Sequence, residues 1–236
     1  MRNYFVFGGL DSRDYGIYIS GSGVFNAPER DYAKVSVPGR DGDLLLHNKR
    51  LKNIKLDYPA FIYANFSENV GKMRSDFLAM IGYQRLADSY HPDEYRLAYF
   101  AGGTDIDPTK KLEAGNFTLS FQCKPQRYLL SGAEAVTVAS GDTLTNPTAQ
   151  PARPLIRVSG QGTVNVGGYT VTVGDHGEEY VDIDCEIMDC FCGQVNLNSY
   201  VSFTGHEFPI LEAGANGVTY SGGITVVEIT PRWWRA

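Results

Sequence analysis

Phe117-Thr118-Leu119-Ser120-Phe121-Gln122-Cys123 alternates apolar and polar side chains without a break. Period two belongs to a strand with one buried and one wet face, so this stretch reads as antiparallel β-strand. The second half repeats the pattern in Val181-Asp182-Ile183-Asp184-Cys185-Glu186-Ile187, where the acids are expected on a solvated outer face. Working outward, shorter candidate strands fall at residues 4–7, 17–19, 54–63, 155–158, 169–173, 218–220 and 224–229. Gly167-Gly168, Asn216-Gly217 and Gly222-Gly223 supply turn signals between them. The fold class is therefore mainly β.

One helix interrupts the pattern. Val70, Met73, Phe77 and Ile81 recur at helical spacing behind Ser67, the expected N-cap, and Gly82 is expected to end it. A second, weaker helical or irregular piece is expected near residues 93–100, after Pro92. From Ser131 to Pro154 the chain turns rich in small, polar and breaker residues, which places a domain boundary there. The expectation is a β-rich domain with one helix over residues 1–130 and a second β-rich domain over residues 131–236.

Composition narrows the function classes. The 236 residues are 43% hydrophobic and 20% charged, which is ordinary globular composition and excludes disorder as the dominant state. The net charge of −6 is unevenly placed: residues 1–128 hold 17 Lys+Arg against 15 Asp+Glu, and residues 129–236 hold 4 against 12. No Lys or Arg lies between Arg157 and Arg232, so the second half has no basic stripe with which to neutralise phosphates. No run of about 18 uncharged apolar residues spans a bilayer, and residues 4–10 are too short for a signal-peptide core. Neither membrane insertion nor export is expected.

Sites for chemistry are sparse. Cys185, Cys190 and Cys192 stand at a spacing unusual for zinc, and Cys123 and Cys185 fall on apolar strand faces as small buried hydrophobes. His47, His91, His176 and His206 are scattered through loop-like segments without a nucleophile signature. Asp182, Asp184, Glu186 and Asp189 have the residue types of a glycosidase, but alternation assigns them to water. No catalytic, metal or cofactor residue is expected. Pro38-Gly39-Arg40-Asp41-Gly42-Asp43 is the most loop-like segment of the first half, with two glycines that permit positive φ around an Arg-Asp pair. Without a preceding strand and a following helix it is no phosphate cradle, and it reads as a hairpin tip that offers a subunit or partner contact. The adjacent Trp233 and Trp234 are expected on opposite faces, one in the core and one at a surface.

An ordered set of short segments carries a resemblance along nearly the whole chain. It runs through Phe7-Gly8-Gly9, Asp14-Tyr15-Gly16-Ile17 and Val37-Pro38-Gly39-Arg40-Asp41-Gly42-Asp43 to Tyr90-His91-Pro92-Asp93-Glu94-Tyr95-Arg96 and Cys123-Lys124-Pro125-Gln126-Arg127-Tyr128. It continues through Asn146-Pro147-Thr148 and Gly214-Ala215-Asn216 to Ile229-Thr230-Pro231-Arg232-Trp233-Trp234. In these the chain resembles the distal tail proteins of siphophages and prophages of Gram-positive bacteria. The resemblance implies a tail-tube-like N-terminal domain that forms a homo-hexameric ring around a channel through which DNA passes without specific binding. It further implies a galectin-like C-terminal β-sandwich pointing outward. The expected partners are the tail-tube (major tail) protein, the tail-tip or tail-associated lysin protein, and receptor-binding proteins. The implied role is a non-enzymatic structural hub at the virion tail tip, made in the bacterial cytoplasm. The alternative is a carbohydrate-binding module that contacts host surface glycans through the aromatic residues of the second half.

Overall fold

The computed structural model of the chain describes residues 2–21, 25–63, 65–102, 106–108 and 114–236. The chain divides into two units, Met1–Arg127 with Ala236, and Tyr128–Arg235.

The first unit contains β1 (Phe5–Phe7), β2 (Leu10–Asp11), β3 (Ile17–Ile19), β4 (Arg30–Val35), β5 (Leu44–Leu51), β6 (Ile54–Ile62), α1 (Phe66–Leu78), β7 (Gln84–Asp88), β8 (Glu94–Phe100), β9 (Ile106–Pro108) and β10 (Gly115–Leu129), whose last two residues open the second unit. The main sheet runs β2-β1-β7-β8-β10-β6-β3, with β9 also on β10. Its longest ladder pairs Gly115 with Ile62 through to Cys123 with Ile54. Because both strands alternate, Leu56, Tyr58, Ala60 and Ile62 face the same core as Phe117, Leu119, Phe121 and Cys123. Gly115 sits beneath the Phe66 ring and has no room for a side chain.

Helix α1 covers that core with Phe66, Val70, Met73 and Phe77. Phe77 is fully buried and meets Phe7, Phe100, Tyr15 and Phe5 at ring-centroid distances of 5.2, 5.7, 5.9 and 6.0 Å, all edge-on. The ends of the helix differ from expectation. Asn65, in left-handed geometry (φ 52°, ψ 38°), is the N-cap and makes no side-chain cap bond, so Ser67 lies inside the first turn. The helix stops at Leu78, before Gly82, and Ile81 is 92% exposed beyond it. Residues 94–100 are a strand, not a helical piece. β8 pairs antiparallel with β7 and buries Ala98 and Phe100, and this tertiary pairing overrides local propensity.

The second unit continues with β11 (Val136–Val138), β12 (Thr143–Asn146), β13 (Leu155–Ser159), β14 (Gly162–Val166), β15 (Tyr169–Val173), β16 (Val181–Asp184), β17 (Asp189–Cys192), β18 (Val195–Asn196), β19 (Val201–Phe203), β20 (Gly214–Gly222), β21 (Val226–Thr230) and β22 (Trp234–Arg235). One sheet has the order β11-β21-β13-β16-β17-β18 and the other β12-β20-β14-β15-β19. Ile156, Val158, Ile183, Val227 and Ile229 of the first share one core with Val164, Val166, Val171, Val173 and Val218 of the second. Gly167 and Gly168, both at positive φ, turn β14 into β15. Asn216-Gly217 is no turn but lies within β20. The buried Asn216 accepts from the Glu212 backbone N–H and donates to the carbonyls of Leu144, Glu212 and Gly214, which staples the preceding loop to the strand.

β16 ends at Asp184, so Cys185 to Ile187 form a turn and Ile187 is exposed. The expected solvated acidic face is absent, because Asp182 and Asp184 are only 5% and 8% exposed. Each carboxylate accepts two hydrogen bonds from one guanidinium. Arg157 reaches Asp182 at 2.7 and 2.8 Å, and Arg232 reaches Asp184 at 2.7 and 2.9 Å. Two-point pairing lets a carboxylate leave water where a single contact would not suffice.

Candidate subunit interface

Pro38-Gly39-Arg40-Asp41-Gly42-Asp43 lies at the tip of the hairpin formed by β4 and β5. Gly39 and Gly42 both take φ 79°, a region that other residues enter at a cost, and the Arg40 N–H donates to the Val37 carbonyl at 3.2 Å to close the turn. Below the tip, Val35 pairs with Leu44, Lys34 with Leu45, Ala33 with Leu46 and Tyr32 with His47. The register then slips. Three residues from Arg30 to Tyr32 face five from His47 to Leu51, and Lys49 takes φ 55° in the bulge. Arg50 Nε donates to Asp31 across the slip at 2.7 Å, and the Lys52 N–H donates to the Glu29 carbonyl at 2.8 Å.

What distinguishes the ribbon is what it leaves uncovered. Among the described residues no third strand pairs with β4 or β5, so both outer edges present unused backbone donors and acceptors. Leu44, Leu45 and Leu46 are 40%, 53% and 49% exposed, and Tyr32, Val35 and Val37 are similarly open. Leu44 and Leu46 project from one face and Leu45 from the other, so apolar surface is displayed on both sides. A two-stranded ribbon of this kind is marginal alone in water and gains stability from a partner. Arg30 to Lys52 also carries six Lys+Arg against three Asp+Glu. The sequence reading found the tip through its Pro and Gly residues and missed the leucines. Their signal was three consecutive apolar residues beside a charged turn, which no single buried face can absorb.

The other residues weighed from sequence are not brought into one site. His47 lies on β5 rather than in a loop, His91 in the turn before β8, and His176 and His206 elsewhere in the second unit. Cys123, Cys185 and Cys190 are free and buried, and Cys192 is half-buried. Burial pushes the Cys123 and Cys190 thiols up to about 12 and raises that of Cys185 as well. Among the described residues no three His, Cys, Asp or Glu side chains converge as a metal site. Trp233 is buried in the second core, and Trp234 is half-buried with its Nε1 donating to the Pro151 carbonyl at 2.9 Å. No helix among the described residues is long and apolar enough to cross a membrane.

The unit that carries this ribbon matches a known family. Residues 10–123 match the phage tail protein RIFT-related domain. That match covers most of the first unit. Among solved structures, the Dit protein of phage SPP1, described as a paradigm of the hub adsorption apparatus in phages infecting Gram-positive bacteria, shares the fold. The correspondence covers 97% of this chain and 98% of that one, with a TM-score of 0.67 and 13% identity. The phage P2 baseplate in its activated conformation contains a chain of similar fold. With calcium the TM-score is 0.50 at 10% identity, and with strontium 0.50 at 9%, each over 97% of both chains. No curated protein matches the sequence.

Proposed function

We propose that this chain is the structural hub of a phage tail tip. Residues 1–130 form a homo-hexameric ring around the DNA channel, and residues 131–236 form a galectin-like unit that serves as an attachment surface. The ring connects the tail-tube protein to the tail-tip or tail-associated lysin protein and to receptor-binding proteins, and DNA passes through without base-specific contact. The observation that carries this reading is the end-to-end correspondence of fold with a phage hub protein, joined to a tail-family domain in the first unit. In this reading the ribbon tip Pro38 to Asp43 and the leucines behind it contact a neighbouring subunit, with an open strand edge offering backbone pairing. Catalysis has no place in it, since Asp182 and Asp184 are held by arginines rather than aimed into a cleft.

Light scattering and negative-stain imaging of the full chain across a concentration series test the proposal. Six-fold rings with a central hole are expected. A strict monomer at all concentrations rejects self-assembly and returns the carbohydrate-binding alternative to the front, to be tested by glycan-array binding.

A further inference from the structure

The segment Tyr90-His91-Pro92-Asp93-Glu94-Tyr95-Arg96 has no task in ring formation as proposed, yet it builds a buried polar cluster inside the first unit. Asp88, at the end of β7, organises the turn. Its Oδ1 accepts from the backbone N–H of Tyr90 at 2.9 Å and of His91 at 3.0 Å, and its Oδ2 accepts from the Tyr58 hydroxyl at 2.8 Å. His91 Nδ1 lies 3.2 Å from Asp88 Oδ1, which assigns a proton to Nδ1 and leaves Nε2 pointing elsewhere. That Nε2 is buried and has no hydrogen-bond partner. Arg96, on β8, is only 6% exposed, and both of its terminal nitrogens, Nη1 and Nη2, are buried without a partner, as is Nε of Arg127 on β10. His91, Arg96 and Arg127 line one cavity of about 10 Å³, room for a single water-sized guest.

Buried polar atoms are normally satisfied, and several donors left over around one small cavity mark a place for a bound water or ion. The charges narrow its identity. Asp88 is committed to its turn and to Tyr58, and Glu94 lies 3.5 Å from Arg127. β10 also brings the uncharged thiol of Cys123, and Phe25 adds only an apolar ring edge 4.8 Å from His91. Arg127 also donates through Nη2 to an Ala236 oxygen at 3.0 Å, which leaves only its Nε for a guest. With a neutral imidazole the two buried arginines balance the two buried carboxylates, so an anion added without a proton would leave an uncompensated buried charge. One further proton restores the balance and turns Nε2 into a donor. We propose that this cavity is a site for a monatomic anion, a halide such as chloride, taken up together with one proton on His91. The halide accepts from Arg96, Arg127 and protonated His91. Burial lowers the Arg96 pKa, consistent with a cation that gains from a counter-ion.

The test compares thermal unfolding of the full chain in sodium chloride and in sodium gluconate at equal ionic strength, because gluconate is too large for the cavity. Helical circular dichroism reports this unit, which holds α1. At about pH 5.5, where an ordinary imidazole is largely charged, chloride at ten times its dissociation constant is expected to raise Tm by roughly 3–6 °C, and at about pH 8 the difference is expected to vanish. His91→Gln is expected to remove the chloride effect at the lower pH. Bromide in crystals of the unaltered protein gives a readout independent of variant folding, with an anomalous peak expected between Arg96 and His91 at the lower pH. Equal Tm in both salts at the lower pH, a chloride effect independent of pH, or a peak-free cavity holding only water would each overturn the proposal.

Discussion

Arg232 and Asp184 show how much one residue pair carries here. Burial works to raise the Asp184 carboxyl, but the paired Arg232 guanidinium outweighs it and holds the pKa below the usual carboxylate value. A depressed folded-state pKa gives stability that is fully present above the unfolded value of about 4 and is lost as pH falls through the folded value. Arg232 itself takes φ 58°, an uncommon conformation fixed by its N–H donating to the Gly132 carbonyl at 2.8 Å. Arg232→Met is therefore expected to cost roughly 2–3 kcal/mol at neutral pH, below the range for a fully buried pair because Arg232 is partly open to water. The gap to the unaltered protein should narrow on acidification below about pH 4, where the lone carboxylate is neutralised. Urea unfolding at the two pH values checks both parts, and an undiminished gap in acid would remove the ion pair as its cause. Thiol accessibility gives a second check at this scale. A thiol reagent at neutral pH is expected to label no more than Cys192 in the folded chain and all four cysteines in denaturant, since the other three are buried and hard to ionise.

Elements succeed or fail by what they find to cover them. Helix α1 finds the sheet, and Phe77 in its last turn packs on rings from β1, β8 and β10. Phe77→Ala is expected to destabilise the first unit by about 3–5 kcal/mol, read from its urea midpoint by helical circular dichroism. No strand among the described residues pairs with the ribbon β4–β5, so Leu45→Asp with Leu46→Asp should leave the melting of the chain nearly unchanged while abolishing the rings proposed above. Rings that persist in this variant would remove the ribbon from the subunit contact. The same contrast explains which elements were readable. Residues 117–123 and 54–62 alternate strictly because each strand has one core face, and so their sequences declare them. Residues 94–100 place Glu94, Tyr95 and Arg96 in succession under cover, which breaks the alternation and hid β8. The helix ends were missed because its start has no side-chain cap bond and Ile81 continues the apolar spacing past the last turn without being buried. The Pro38 to Asp43 turn was legible from its backbone chemistry. The leucines beside it were not, since a run of three reads equally as core, and only the tertiary structure reveals that no core reaches them.

At the scale of the whole molecule, two separate cores meet two different charge states. The aromatic core of the first unit and the largely aliphatic core of the second share no residue. Tyr128–Arg235 holds 4 Lys+Arg and 12 Asp+Glu, a net −8, whereas the rest of the chain stands at +2. Self-repulsion therefore weighs on the second unit, and added salt relieves it. The chain provides its own probes for telling the units apart, because both tryptophans, Trp233 and Trp234, lie in the second unit and α1 lies in the first. Tryptophan emission thus reports one unit and helical circular dichroism chiefly the other. Two non-coincident thermal transitions are expected, with the emission transition moving upward as neutral salt is raised from about 0.01 to 0.5 M, over which screening shortens severalfold, and the helical transition moving less. Coincident curves at every salt concentration would mean that the units unfold as one, and the charge asymmetry would then act on assembly rather than on the stability of either unit.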